Sequence, residues 1–458
     1  MLKRFLEQYT ALSFRERLLL ALVFVLPLER IPSFDVAGLT VKLSILVGTL
    51  LVGLEAPRLL RSFKFKEFRK SFVIAPLLFF AFSLLSLIWS ESTTFGLKSN
   101  LILGFNVAAF YAVYSVVRNC RGRTYLNLTY KTLIVSALLV IGFGFWQWFG
   151  DLLGLSSNFT GIREEYTAER LGLPRMHSTL LEPLYFGLYL LLPLGLLWAD
   201  RTGKFIKSIY SRFGIITLIY MAILLSLARG AIVASVFIGL IGLAYNFTEL
   251  KERLKLKDLA KLALGGVLAL VLLVGLTSVI GKQGTDEDHL YEKGFSTIVG
   301  HLETIKPWGS KEDEADQNSI NSRDEAREDA WVVVESSPEN ILVGVGAGQH
   351  GLSLVPEKGF EATSNFMLLD VWVEYGLVGL LMIIFFLGAI LRNSFSRSYL
   401  KKLSLSEHEK VFVIGIGIYL LGFLIQSITF GELTITHLWV VSALATSLVV
   451  CYSSESVE

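Results

Sequence analysis

The sequence predicts an all-α polytopic membrane protein with about 12 transmembrane helices and one large, partly helical periplasmic loop. Of its 458 residues, 53% are hydrophobic and only 18% are charged, whereas soluble globular chains carry about 25% charged residues. The apolar residues form runs of roughly 20, the length that a helix needs to cross a bilayer. The basic residues between these runs alternate in density, which is typical of loops on alternating sides of a membrane.

The predicted spans follow the apolar runs in order. The first begins near Leu18 and is the weakest, because Pro27 and Glu29 shorten it; no small-residue cleavage site follows it, so we expect it to remain on the chain. Only Ala228-Arg229-Gly230 joins the seventh and eighth spans, which predicts a tight hairpin. A total of ten spans is an alternative, because ten is also an even number and would likewise leave both termini on the same side of the membrane. The spans are placed near 17–34, 37–55, 71–90, 99–117, 128–149, 179–199, 212–228, 230–246, 260–280, 366–391, 411–430 and 434–452.

Most of the 42 lysines and arginines lie at the N-terminus and in five short segments, which the positive-inside rule places in the cytoplasm. Both termini are then cytoplasmic, and the two long polar segments lie on the outer side of the membrane. Cys120 and Cys451 fall on the cytoplasmic side, so a disulfide framework is not expected. Because topology explains the basic loops, they give no reason to expect nucleic acid as a partner.

Three regions follow from this topology. Residues 1–280 hold spans one to nine and a smaller periplasmic loop at 150–178, residues 281–365 form the large periplasmic loop, and residues 366–458 hold the last three spans. A loop of roughly 80 residues without secondary structure is uncommon, so we expect helices within it.

One helix of the large loop is predicted from a capping box, formed by Ser322, Arg323, Asp324 and Glu325. The helix runs to about Ser336 and is ended by Pro338. Arg323, Arg327 and Trp331 share one of its faces. The two arginines can clamp an anion, although their acidic neighbours also favour a plain solvated face. Glycines then predict a turn-rich stretch: Gly344, Gly346, Gly348 and Gly351.

Arg229 is a candidate for binding an anionic group, since it stands at the predicted outer boundary of the membrane, in the hairpin turn. Arginine stays charged and can bind a phosphate through two parallel hydrogen bonds. The alternative is an interfacial anchor whose guanidinium reaches lipid headgroups. The short turn favours the functional interpretation, because its backbone has little freedom to move away.

Basic residues crowd the end of the first periplasmic loop, just before a carboxylate: Arg163, Arg170, Arg175, His177 and then Glu182. The predicted span places Glu182 a few residues inside the membrane, where a carboxylate costs roughly 2.5–3.5 kcal/mol unless it is paired or hydrated. It should therefore face the protein interior or an aqueous cavity, as a base or as a partner for a substrate hydroxyl. An ion pair with Arg175 or another outer arginine is the alternative.

Four more polar residues lie in the late spans. Asp370 and Glu374 are spaced i, i+4 in the tenth span and should point inward, because exposure to lipid is costly. His437 and Gln426 lie in the last two spans, where an interhelical hydrogen bond is the commoner role.

The sequence gives no reason to expect a metal or another cofactor. Acidic runs at 286–288 and 312–314 are more typical of a solvated loop than of metal ligands. No zinc spacing, phosphate-binding glycine motif or Ser-His-Asp pattern is present at a place that would support such a site.

Several segments, in the same order and spacing, resemble the bacterial O-antigen ligase and O-antigen polymerase superfamily. Residues 227–231 (Leu-Ala-Arg-Gly-Ala) are similar to the Ser-Arg-Gly element that begins the family's shared region. Residues 323–331 and 344–348 resemble its Arg…Trp helix and its Gly-x-Gly-x-Gly turn. Residues 364–366 (Ser-Asn-Phe) and 374–379 (Glu-Tyr-Gly-Leu-Val-Gly) resemble its Asn at the membrane edge and its Glu-x-Gly-(Leu/Ile)-(Ile/Val)-Gly pattern.

The resemblance implies a membrane glycosyltransferase of lipopolysaccharide biosynthesis. Such an enzyme transfers a glycan from undecaprenyl diphosphate to an acceptor sugar hydroxyl at the periplasmic face of the bilayer, with inversion and without a metal. The catalytic candidates are then Glu182, His177 and Arg229. Candidates for binding the diphosphate or the glycan are Arg175, Arg323, Arg327 and Asn365.

Two features separate polymerase from ligase. Ligases of the family usually carry His directly before the Asn, where this chain has Ser364. Residues 175–183, in contrast, are similar to an Arg…Glu-Pro element of many polysaccharide polymerases. We therefore expect a polymerase that extends an acceptor glycan, with transfer to lipid A–core as the alternative, and a chain-length regulator as a further partner.

Other classes remain as alternatives. A polytopic transporter would explain the carboxylates inside the membrane, but transporters typically show two related halves, and we find none. A metal-dependent glycosyltransferase would need an acidic pair in the first outer loop, 29–35, which lacks one. A non-enzymatic scaffold of an envelope complex also stays open.

Overall fold

The computed structural model describes residues 7–30, 33–36, 39–62, 71–119, 123–171, 173–200, 203–248, 314–354, 363–396, 405–430 and 432–454, with the single residues 264, 268, 400 and 403. The statements on structure below concern these residues. The predicted ninth span at 260–280, most of the large loop and Cys120 lie outside them.

Helices dominate the described chain. They are α1 (Phe14–Val25), α2 (Leu43–Ser62), α3 (Ser71–Leu85), α4 (Thr93–Asn119), α5 (Arg123–Leu152), α6 (Pro183–Ala199), α7 (Ile209–Leu225), α8 (Arg229–Thr248), α9 (Glu314–Glu335), α10 (Pro338–Val343), α11 (His350–Leu354), α12 (Met367–Phe395), α13 (Glu407–Gln426) and α14 (Thr436–Ser454). Short helical turns at Ser86–Ile88, Ser157–Thr160, Glu164–Tyr166 and Ala168–Leu171 complete them.

Among the described residues, five helices are long and apolar enough to cross a membrane: α2, α4, α5, α12 and α13. The shorter apolar helices are α3, α6, α7, α8 and α14. Each predicted span within the described ranges overlaps a helix, so the mostly helical membrane fold is confirmed. The total of about 12 spans and the periplasmic side of the large loop stay predictions.

A two-stranded antiparallel sheet departs from the all-α prediction. Strand β1 (Ser33–Val36) pairs with β2 (Leu39–Lys42), with Val36 opposite Leu39. The predicted second span, 37–55, therefore starts too early, since its helix begins at Leu43. Alternating residues with a β-branched Thr and Val favour a strand here, and the apolar content of the segment hid this signal.

The centre of the bundle is formed by α6, which packs against α8 and α13. Small residues allow these helices to approach closely, as is common between membrane helices. A Cβ atom on Gly195 would lie 2.7 Å from the Gly415 carbonyl oxygen, and one on Gly187 would lie 2.4 Å from the Ala231 Cβ. This packing brings the start of α6, the start of α8 and the end of α13 to one end of the bundle.

The predicted capping box in the large loop is wrong. Helix α9 spans Glu314–Glu335, so Ser322 lies inside it and is no N-cap. The Ser-x-x-Glu pattern also fits a helix interior when helical residues precede it, as they do here. The predicted end near Ser336 is confirmed, and Pro338 starts the next short helix, with the Ser337 hydroxyl accepting from the Asn340 N–H.

Candidate functional site

The predicted site residues come together around the segment that joins α13 to α14, residues 427–435, here called the α13–α14 connection. A Cβ atom on Gly230 would lie 2.1 Å from the Thr429 hydroxyl oxygen, so the hairpin turn with Arg229 rests on this connection. The backbone N–H of Met367 donates to the Ser427 carbonyl at 3.1 Å. This bond holds the turn that contains Asn365 beside the α13–α14 connection.

Two further elements reach the same connection. The Arg327 guanidinium donates to the Ile428 carbonyl at 2.7 Å. The Tyr185 hydroxyl, one turn into α6, donates to the Glu432 carboxylate at 2.6 Å. Segments that are up to 250 residues apart in the chain thus share one end of the helical bundle.

Arg229 is the first residue of α8 and is half-buried. The turn before it is held by Arg175, whose guanidinium donates to the Ser226 and Leu227 carbonyls, both at 3.3 Å. The backbone N–H of Met176 also donates to the Leu225 carbonyl at 3.0 Å. The structure therefore brings Arg175 against the Arg229 turn.

His177 lies in the loop 161–182 and is completely buried. Its Nδ1 atom is 3.3 Å from the Leu180 carbonyl oxygen, and its Nε2 atom accepts from the Arg163 backbone N–H at 3.2 Å. Burial lowers the pKa of His177 to about 4. With both ring nitrogens occupied by backbone groups, His177 holds the loop together and has no free nitrogen for proton transfer.

The loop 161–182 is also anchored through a strained residue. Ser178 has φ +57°, and the buried Gln147 amide accepts from its N–H at 2.7 Å and donates to its carbonyl at 3.1 Å. The other non-glycine residues with positive φ in the described chain are Leu227 and Asn365. Ser178 and Leu227 flank predicted site residues and Asn365 is itself one, and such backbone strain concentrates at functional sites.

Glu182 is the N-cap residue of α6 and does not lie inside the span, because the helix begins only at Pro183. Its carboxylate is half-buried. Burial raises the pKa of Glu182 above its usual range, the Glu432 charge raises it further, and the Arg163 and Arg175 charges lower it. A carboxyl with a raised pKa is a stronger base than an ordinary glutamate.

An aromatic ring organises the two cations near Glu182. The guanidinium carbons of Arg163 and Arg175 lie 5.7 and 5.8 Å from the centre of the Tyr166 ring, within the range of cation–π attraction. Arg163 also forms a 2.6 Å ion pair with Glu165 and donates to the Leu181 carbonyl. For Arg170 the structure describes only the backbone, in the short helix Ala168–Leu171.

Helix α9 presents its predicted face toward the bundle. Arg323 and Arg327 lie one turn apart on it, and Arg327 also pairs with Asp324 at 3.3 Å. One turn further, the Trp331 ring meets the Trp372 ring of α12 edge to face, with 5.3 Å between centroids. The shared face is therefore the one that docks, and it carries Arg327 to the α13–α14 connection.

The Gly-x-Gly-x-Gly motif is a structural joint. We call residues 344–350 the glycine turn. Gly376 breaks α12 with φ +62°, and the backbone N–H groups of Val345 and Gly346 donate to the Val373 and Glu374 carbonyls, both at 2.9 Å. A Cβ atom on Gly376 would lie 2.3 Å from the Leu342 backbone, so only glycine fits.

The two carboxylates of α12 both serve the glycine turn. Backbone N–H groups of Gly348 and His350 donate to the Glu374 carboxylate. Asp370 accepts from the Ser364 hydroxyl at 2.5 Å and lies 3.2 Å from the His350 Nδ1 atom. Both carboxylates therefore point inward, as predicted, and Ser364 takes part in a buried polar cluster.

Three residues of this region were missed from the sequence. Tyr185 and Glu432 bond to each other close enough to Glu182 to affect its charge, and His350 contacts Asp370, but nothing in their own sequence neighbourhoods marks these residues. Glu432 is a lone acid in a connection of a few residues, and His350 follows a glycine-rich stretch. The pairing of distant segments identifies them, and a single sequence does not contain that pairing.

The last two spans give a mixed result for the predicted interhelical hydrogen bonds. Gln426 does donate to the Leu184 carbonyl of α6, at 2.9 Å. His437 is buried against the Tyr189 and Tyr419 rings, and within the described residues neither of its ring nitrogens has a hydrogen-bond partner.

No group of three His, Cys, Asp or Glu residues that could hold a metal ion occurs in the described part of the chain. The predicted acidic run at 286–288 lies outside this part, as do residues 312–313.

Comparison with known proteins identifies one region. The family model described as O-antigen ligase matches residues 213–384, which include α7 to the first half of α12. This match confirms the superfamily resemblance that the motifs predicted. No curated protein matches the chain significantly.

Proposed function

We propose that the protein is a polysaccharide polymerase, a glycan-transferring membrane enzyme of the O-antigen ligase and polymerase type, and the match of residues 213–384 to the O-antigen ligase family model supports this. It takes a glycan from undecaprenyl diphosphate and adds it to a sugar hydroxyl at the periplasmic face of the inner membrane. The observation that carries this proposal is the gathering of Arg175, Arg229, Arg327 and Glu182 around the α13–α14 connection.

The proposed topology keeps both termini in the cytoplasm, with residues 1–280 and 366–458 carrying the spans. Residues 150–178 and 281–365 face the periplasm. The structure supports this arrangement, because the segments assigned to the outer side contact one another at one end of the bundle.

The diphosphate of the donor is the group that the arginines bind. In the proposed reaction the acceptor oxygen attacks the anomeric carbon, the bond from that carbon to the diphosphate oxygen breaks, and the electron pair stays on the diphosphate. Arg229, Arg175, Arg323 and Arg327 stabilise the charge that develops there. Preorganised charge of this kind commonly supplies several kcal/mol, on the order of 3 for one donor group, so no metal is required.

The acceptor hydroxyl must lose a proton as it attacks. We assign this base to Glu182, because its carboxylate is half-buried, has a raised pKa and lies beside Arg175. His177 was the other predicted base, and its occupied nitrogens exclude it from this proposal. A single direct displacement inverts the configuration of the anomeric carbon.

The choice of polymerase over ligase rests on two segments of the chain. Ser364 occupies the place of the ligase His and binds Asp370, while Glu182-Pro183 begins α6 beside the arginines. Transfer to lipid A–core is the alternative product. Asn365, held at φ +56° next to Ser427, is the proposed contact for the glycan.

Purified protein with lipid-linked repeat units tests the proposal. We expect longer lipid-linked chains without added metal and in the presence of EDTA. The Arg229→Ala variant should make none while it still inserts and accumulates, and Arg392→Ala, at the far end of α12, serves as the matched control. Near-normal assembly by Arg229→Ala would overturn the assigned role. Product formation only after addition of lipid A–core would identify a ligase.

A further inference from the structure

A cavity of about 520 Å³ lies beside the glycine turn, at a distance from the arginines. Its lining includes Trp89, Glu91, Glu339, Asn340, Gly344 and Gln349. These residues come from three separate elements: the segment between α3 and α4, helix α10, and the glycine turn. None of them was singled out by the sequence motifs except Gly344.

The walls of this cavity are fixed. The Trp89 indole N–H donates to the Gly344 carbonyl at 3.1 Å, which sets the plane of the ring. The buried Gln349 amide donates to the Ser92 carbonyl at 2.9 Å and accepts from the Ser92 N–H at 2.8 Å. The segment that carries Trp89 and Glu91 is therefore tied to the glycine turn, and the cavity keeps its shape without a ligand.

The polar lining is suited to hydroxyl groups. Glu91 and Glu339 have no ion-pair or hydrogen-bond partner among the described residues, so both carboxylates can accept. The Asn340 side chain adds an amide, although its nitrogen already donates to the Val333 carbonyl. A fixed aromatic ring with a few convergent acceptors is the usual composition of a small-ligand site.

The position of the cavity relates it to the glycan. Helix α9 carries Arg327, ends at Glu335 and leads directly into Ser337, which lines the cavity. Eight residues at 1.5 Å each separate Arg327 from the end of this helix, a distance of about 12 Å. A glycan whose diphosphate is near Arg327 can therefore place a later sugar, and not the reacting one, in the cavity.

We propose that this cavity binds a neutral or amino-substituted sugar of the glycan at a site remote from the bond that reacts. The sugar ring lies against Trp89, and its hydroxyls donate to Glu91 and Glu339. Two uncompensated carboxylates repel a uronic acid. The inference rests on the proposed function for the identity of the ligand.

The test uses full-length protein in nanodiscs and a free oligosaccharide of two repeat units, released from the lipid-linked glycan of the source bacterium. We expect Trp89→Ala to raise the Kd at least tenfold, as measured by calorimetry. The matched control is Trp146→Ala on α5, because both tryptophans are partly exposed and each ring meets a phenylalanine, Phe82 for Trp89 and Phe159 for Trp146. The Kd of this control should stay within twofold of the wild-type value.

The second part of the test compares ligands of different charge. Oligogalacturonate should bind at least tenfold more weakly than the repeat-unit oligosaccharide, and Glu91→Gln/Glu339→Gln should reduce that difference. In the transfer assay, Trp89→Ala should raise the KM for donors of several repeats and shorten the products. Both glutamate changes keep the size of the side chain, so they address the charge alone.

The outcomes separate this inference from the proposed function. Equal Kd values for wild-type protein and Trp89→Ala overturn the inference, even if the wild-type enzyme polymerises normally. Equal or tighter binding of oligogalacturonate, or binding of a cationic peptide in place of the sugar, also overturns it. A Trp89-dependent Kd in a protein that transfers no glycan supports the cavity and contradicts the enzyme assignment.

Discussion

Two buried histidines, one in the loop 161–182 and one at the end of the glycine turn, differ in one respect. His177 has a backbone partner for each ring nitrogen, whereas His350 has Asp370 at its Nδ1 atom and, among the described residues, no partner at Nε2. Burial lowers the pKa of both to about 4. The loop 161–182 is thus closed by hydrogen bonds, while the glycine turn leaves one buried polar atom without a partner among the described residues.

The largest expected effect tests whether the loop 161–182 or the glycine turn supplies the general base. Glu182→Gln should lower the rate of transfer by roughly 10²–10⁴-fold, the usual worth of general-base help. Ser364→Ala should cost far less, because it removes only one of the groups around Asp370. Single-turnover rates with the lipid-linked donor measure both. The reverse order would move the base from the loop 161–182 to the glycine turn.

The next effect concerns stability and the joint in α12. Gly376→Ala should lower the free energy of unfolding by at least about 2 kcal/mol, because its Cβ would collide with the Leu342 backbone and its φ is positive. Gly388→Ala is the control in the same helix, since a Cβ there meets nothing within 4 Å. It should be neutral or stabilise by up to about 1 kcal/mol. Thermal unfolding in detergent compares the two variants, and equal melting temperatures would contradict a structural requirement for glycine at position 376.

Substitution of His177 and of His350 tests the different hydrogen bonding of these two residues. His177→Ala leaves the Arg163 N–H and the Leu180 carbonyl without partners, which should cost about 1–3 kcal/mol of stability. His350→Asn keeps a donor toward Asp370 and removes only an Nε2 atom that has no partner among the described residues, so we expect a smaller loss of stability than in His177→Ala and little change in the rate of transfer. Melting curves and transfer rates distinguish them. A loss of stability in His350→Asn alone would reverse the comparison.

The smallest effect is the pH dependence of stability. A histidine with a pKa near 4 in the fold and about 6.5 when unfolded takes up its proton only in the unfolded chain between these values. Stability should therefore fall as pH drops below about 6.5, by less than about 1 kcal/mol per histidine from pH 7 to pH 6. His350→Asn should fall less steeply than the wild type, and parallel melting profiles would argue against a neutral buried His350.

The sequence identified what local chemistry can identify. Arg229 was identified because a charged residue in the short turn between two spans has few possible roles. Arg327 and Trp331 were identified because helical spacing places them on one face. Asp370 and Glu374 were correctly turned inward by their insertion cost. Each of these inferences needs only residue type and periodicity.

The remainder depends on tertiary contacts. His177 was interpreted as a base because its neighbours are basic, but backbone groups of Arg163 and Leu180 occupy it. Glu432 enters the site only because the connection after α13 meets Tyr185. The Ser322 motif failed because a capping box and a helix interior share the same residues, and only the residues upstream distinguish them.

The break at Gly376 also has a mechanical consequence. Because the glycine turn is hydrogen-bonded across it, the upper part of α12, the turn and α10 form one stiff piece, to which α9 is attached through Trp331 and Trp372. Any movement of this piece would therefore displace Arg327 and Asn365 together.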